Sequence, residues 1–141
     1  MISYEHVTPD QVREVAATAR PYAVALLRWG PQRHRDGADA IELEHQRRMV
    51  ALRDAGTIAV LCPADSERLA GVAVMVVDAD EATAIMAEDP CVRADMIRAE
   101  VYRCYGFPGD ALPGEDPDTS AAGGTGAATG TGRPPSSRKG R

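Results

Sequence analysis

The feature that most constrains this chain is the order in which two hydrophobic periods replace one another between residues 21 and 106. YAVALLRWG, starting at Tyr22, is apolar on both parities over a strand's length and reads as a buried strand. IELEHQRRMVALRDA, from Ile41 to Ala55, has a helical period and is stopped by Gly56 as its C-terminal cap. TIAVLCP and LAGVAVMVVD follow as two further strands, the first halted by Pro63. Asp78 and Glu81 stand three apart and open a second helix over ADEATAIMAED, which Pro90 interrupts. MIRAEVYRCY then alternates, with Ile97, Ala99 and Val101 on one face and Arg98, Glu100, Tyr102 and Cys104 on the other. The order β-α-β-β-α-β predicts an α+β, ferredoxin-like fold: an antiparallel four-stranded sheet with both helices on one side.

That arrangement has a surplus of apolar side chains. Val24 and Leu26 oppose Ala25 and Leu27 in parity, and Val72, Val74 and Val76 oppose Met75 and Val77. Two helices cover one sheet face and leave the other as an apolar patch larger than soluble monomers usually expose. A homodimer packed sheet against sheet is expected, with a leading helix as the alternative cover. That helix is predicted from TPDQVREVAATA, where Thr8 is the N-cap, Pro9 the first helical residue and Gln11 the partner in a capping box.

The chain therefore divides into an N-terminal helical extension (1–20), a core domain (21–112) and a tail (113–141). The tail contains no Leu, Ile, Val or aromatic residue and is rich in Gly, Ser, Thr and Pro, a composition that predicts disorder. It carries Glu115, Asp116 and Asp118 against Arg133, Arg138, Lys139 and Arg141, so the acidity behind the net charge of −5 belongs to the residues before it. An acidic domain is poorly suited to nucleic acid, whose phosphates need clustered positive charge. No apolar run approaches the ~20 residues of a membrane span, and MISYEHVTPDQ lacks a secretory pattern, so a cytoplasmic protein is expected. Three cysteines (62, 91, 104) and three histidines (6, 34, 45) show no metal-ligand spacing, and neither metal nor cofactor is expected.

His45 is the leading candidate for chemistry. It falls on the stripe Ile41, His45, Met49, Leu52 that faces the sheet, with Arg48 at the edge and Glu42, Gln46 and Arg53 toward solvent. One reading is a core histidine satisfied by a single hydrogen bond; the other is a general base at the rim of a pocket. Arg28, beside Trp29, is either an exposed strand end or part of a pocket for an anionic substrate. Arg48 either pairs with Glu44 at i, i+4 or holds a substrate carboxylate. Cys62 is either a plain buried thiol or a thiolate activated near His45.

EHQRRMVALRDAGTIAVLCP, followed by LAGVAVMVVDADEATAIMAEDPCVRADMIRAEVYRCYGFPGDAL, resembles the YciI-related family of small dimeric α+β-barrel proteins, distant relatives of muconolactone isomerase. The resemblance runs from about Tyr22 to Leu112. It rests on a His in the first core helix, a Pro closing the second strand, an Asp-Pro after the second helix and an Ala before the last strand. Cys62 and Asp95 stand where the family usually has Gly. The resemblance implies a His45–Asp89 dyad as the active centre, with Asp89 fixing the tautomer and orientation of the ring. It points to a cofactor-free isomerase, lyase or cyclase acting on a small molecule. The alternative is a non-catalytic metabolite-binding or scaffolding dimer.

Overall fold

A computed structural model of the chain describes residues 1–114, so the expected disorder of the tail falls, from residue 115 on, outside the described residues. The chain divides into two units, Met1–Pro108 and Gly109–Arg141, and the account below concerns the first.

Local punctuation sets the elements. Thr8 accepts from the Gln11 backbone N–H while the Gln11 side chain accepts from Thr8, and this reciprocal box opens helix α1 (Pro9–Ala16). Strand β1 (Arg20–Trp29) follows directly. Gly37, in the left-handed region at φ 76°, turns the chain into helix α2 (Ala38–Asp54), one turn earlier than the apolar pattern indicated. Gly56 (φ 83°) ends α2 in a Schellman motif: its N–H bonds the Arg53 carbonyl and the Thr57 N–H bonds that of Leu52. Strands β2 (Ile58–Pro63) and β3 (Leu69–Met75) form a hairpin. Asp78 caps helix α3 (Ala79–Ala87) through the Glu81 N–H.

The interruption expected at Pro90 is a helical turn of its own, α4 (Pro90–Arg93), with Asp89 as N-cap and Pro90 at the first position. Asp95, at φ 59°, is the one non-glycine among the described residues in the left-handed region, and it redirects the chain into strand β4 (Ile97–Gly106). Asp tolerates that conformation better than most residues.

The sheet is antiparallel throughout, in the order β2-β3-β1-β4, an order compatible with a ferredoxin-like arrangement. Ala23, Ala25 and Leu27 of β1 and Ala73 and Met75 of β3 are buried under the helices. Alanines on the sheet let the helices approach closely. Four of the five methionines (Met49, Met75, Met86, Met96) fill the irregular space that remains, as an unbranched thioether does well.

Tyr22, Val24 and Leu26 of β1, Val72 and Val74 of β3, and Tyr102 of β4 share the opposite face, because Val24 pairs with both Val74 and Tyr102. No residue of α1 is buried, so the leading helix does not cover this face as the sequence allowed. No described helix is long and apolar enough to cross a membrane.

Candidate functional site

Helix α2 lies against β2 and α4, and its inward stripe carries His45 to the residue that caps α4. The ring Nδ1 stands 2.7 Å from Asp89 Oδ1 and 2.9 Å from Oδ2. Asp89 is fully buried, and only 12% of the His45 side chain is exposed. Asp89 Oδ2 also accepts the backbone N–H groups of Cys91 (3.0 Å) and Val92 (3.4 Å), the usual task of an N-cap carboxylate. Helix capping thus holds the acid in place, and the remaining acceptor capacity falls on the imidazole. A carboxylate only accepts, so Nδ1 carries a proton in this contact, and in the neutral ring Nε2 keeps its lone pair.

His45 also lines an open cavity of about 330 Å³ bordered by α2, β1, β2 and the start of β3. Leu27, Trp29, Met49 and Leu61 give it apolar walls. Its polar wall is one stretch of α2: Glu42, His45 and Gln46. Glu42, half-buried, and Gln46, exposed as expected, both border the cavity beside His45. The apolar stripe was legible from spacing, but its width was not. Residues one and three positions from His45 lie within the same arc, and only the distance to β2 decides whether that arc meets water or a wall.

Arg48 lies behind the dyad and does not line the cavity. Its Nη2 donates to the Ile85 carbonyl at 2.7 Å, while Nη1 is 4.0 Å from Asp89 Oδ1, buried and without a hydrogen-bond partner among the described residues. The expected Glu44–Arg48 pair is replaced by Glu44–Arg47 at 3.2 Å, which frees Arg48 to turn inward. The guanidinium supplies a positive neighbour to the buried carboxylate, and the structure does not offer it to a ligand in the cavity.

Two other expected site residues lie elsewhere. Arg28 has the opposite parity to Leu27 and Trp29, so it sits on the open sheet face, where it pairs with Glu100. Their hydrogen bond raises the arginine and holds the Glu100 carboxyl below its ordinary value. Cys62 pairs with Val72, which puts its side chain on that open face too, and it is exposed rather than buried. Cys62 is among the residues that line the cavity, while its pairing with Val72 turns the thiol toward the open sheet face. Cys62 therefore provides no nucleophile beside the imidazole.

The cysteine near the dyad is Cys91. One ring nitrogen of His45, a carboxylate oxygen of Asp89 and the Cys91 Sγ lie within 4.8 Å of one another. In identity these are metal donors. Burial, reinforced by the Asp89 and Glu42 carboxylates, pushes the Cys91 thiol up to about 12, so it stays protonated at neutral pH. With Arg48 set against the carboxylate as well, the donors fit a hydrogen-bonded cluster better than a cation site.

A scan against protein-family models and a search of curated proteins gave no match to the chain. The resemblance described above therefore stands on its quoted residues.

Proposed function

We propose that the protein is a small-molecule enzyme of the YciI-related, dimeric α+β-barrel kind, catalysing a cofactor-free isomerase, lyase or cyclase reaction by acid–base chemistry. The observation that carries this reading is a histidine that lines a cavity while its Nδ1 is bound at 2.7 Å by a buried carboxylate. Asp89 takes the Nδ1 proton in a hydrogen bond and Nε2 abstracts a proton from the ligand. The imidazolium so formed is stabilised by the adjacent negative charge. Returning that proton to a different atom completes an isomerisation; delivering it to a departing group completes an elimination. A cytoplasmic setting accords with three cysteines that are all unpaired.

The second copy that this reading requires covers the open sheet face, where Val76 and Tyr102 are more than half exposed. One observation favours the alternative of a non-catalytic binding or scaffolding dimer. Asp89 is already occupied as the cap of α4, so its contact with His45 also serves as a structural tie.

Deuterium exchange separates the two without knowledge of the product. A panel of small ketones and lactones in D2O is followed by proton NMR with wild type and His45→Gln. A positioned base contributes about 10²–10⁴-fold, so wild type should label at least one compound and the variant should lose about a hundredfold of that rate. Equal labelling by both proteins removes the base from His45.

A further inference from the structure

The cavity's polar wall consists almost wholly of hydrogen-bond acceptors. In its neutral form His45 presents Nε2 with its lone pair while Nδ1 donates to Asp89. Glu42 presents a carboxylate. Glu44 is paired with Arg47 and Asp89 with His45 and Arg48, whereas Glu42 takes no ion-pair partner among the described residues. Gln46 adds one amide, able to accept or donate. All three line the same cavity from two turns of one helix, and among the described residues no Lys or Arg lines it.

The sequence made Arg28 and Arg48 the anchors for an anionic substrate. The fold puts one on the far face of the sheet and the other behind Asp89. The guanidinium of Arg33 lies 3.9 Å from the centroid of the Trp29 ring and is engaged by that ring's π face.

We infer that the cavity takes a small, mainly apolar molecule bearing a protonated or donor-rich amine, and discriminates against carboxylates. This rests on the cavity being the functional site, as proposed above, and adds the class of ligand. An ammonium carries three N–H donors, matching the three acceptors offered by Glu42, His45 and Gln46, while its carbon frame occupies the space between Leu27, Met49 and Leu61. A carboxylate there would meet Glu42 with no cation lining the cavity among the described residues, and like charges brought together repel. The volume of about 330 Å³ lies at the small end of ligand pockets, suiting one ring or a short branched chain.

Trp29 makes this measurable, since it is the sole tryptophan of the chain and lines the cavity. Its emission is titrated in the full-length protein with benzylamine, benzyl alcohol and benzoate, three probes of nearly one shape and differing charge. Benzylamine should bind about tenfold or more tighter than benzoate, with the alcohol between them. Glu42→Gln should reduce the amine-to-acid ratio to within about threefold and leave the alcohol almost unchanged. Gln46→Glu, which adds a second acid to the same wall, should widen the ratio and gives a reading independent of whether Glu42→Gln folds. Benzoate binding as tightly as the amine, a ratio untouched by both variants, or no response to any probe at millimolar concentration overturns the inference. These titrations involve no turnover, so a failed amine preference leaves the exchange experiment on His45 intact, and the converse also holds.

Discussion

Replacing Asp89 with Ala tests the dyad and the local fold together. Asp89 is fully buried and holds three N–H groups, from His45, Cys91 and Val92, with the Arg48 guanidinium 4.0 Å away. Loss of an N-cap costs about 1 kcal/mol, and loss of a charge-assisted hydrogen bond about 1.5–3 kcal/mol. Removing one partner of a buried charged set, with the cation left behind, costs about 3–5 kcal/mol in all. For a folded unit of this size that lowers the melting temperature by roughly 12–20 °C.

Asp89→Asn separates the contributions. Its amide oxygen still caps α4, but its NH2 faces the imidazole and should drive the ring proton from Nδ1 to Nε2. Urea titration measures the stability of both variants, and 15N NMR of the ring reads the tautomer. In a double-mutant cycle, His45→Ala should cost about 1.5–3 kcal/mol less in the Asp89→Ala background than in wild type. The reasoning fails if Asp89→Ala loses under about 1 kcal/mol, or if Asp89→Asn retains the Nδ1–H tautomer.

Two further outcomes follow from the placement of the thiols and of the open face. In the native protein Cys91 should react only on unfolding, whereas Cys62 should alkylate at neutral pH in the monomer and more slowly where a second copy covers the open face, which mass spectrometry after iodoacetamide treatment distinguishes. The folded Cys91 value is raised, from 9.0 to about 12, so its contribution to stability is intact below pH 9 and is lost as the pH climbs toward 12. Denaturation of Cys91→Ala over that range should show a shallower decline than wild type. Leu26→Lys puts a charge in the middle of the open sheet face without touching the buried side of β1. If two copies pair through that face, sedimentation should show the variant's dimer weakened by about a hundredfold or more. An unchanged mass would place any self-association elsewhere.

The elements were legible where a side chain acts on its own backbone. Thr8 with Gln11, Asp78 with Glu81, and Gly56 at the end of α2 each bond to atoms a few residues away, so sequence spacing alone identifies them. The inward turn of His45 was legible from the helical period, and its meeting with Asp89 was implied by the family resemblance. The rest depended on which strand face a residue occupies. Arg28 and Cys62 flank residues that line the cavity, yet alternation sends both side chains to the far side of the sheet. A bulge between Ile58 and Val60 fixes the parity of β2, and no residue pattern in TIAVLCP announces it. Pro90 stopped one helix and began another turn. Reading only the stop hid the capping role that holds Asp89 in place.

The alternation along β1 carries a consequence for how this chain can change. Leu27 and Trp29 furnish one compartment while Leu26 and Arg28 furnish the other, with no spare position between them. A single codon inserted ahead of Leu26 would exchange the two compartments' furnishings, whereas the same insertion in the polar connection after Gly30 would displace neither. Length variants of this chain should therefore accumulate in that connection, and β1 should behave as the sheet's reading frame.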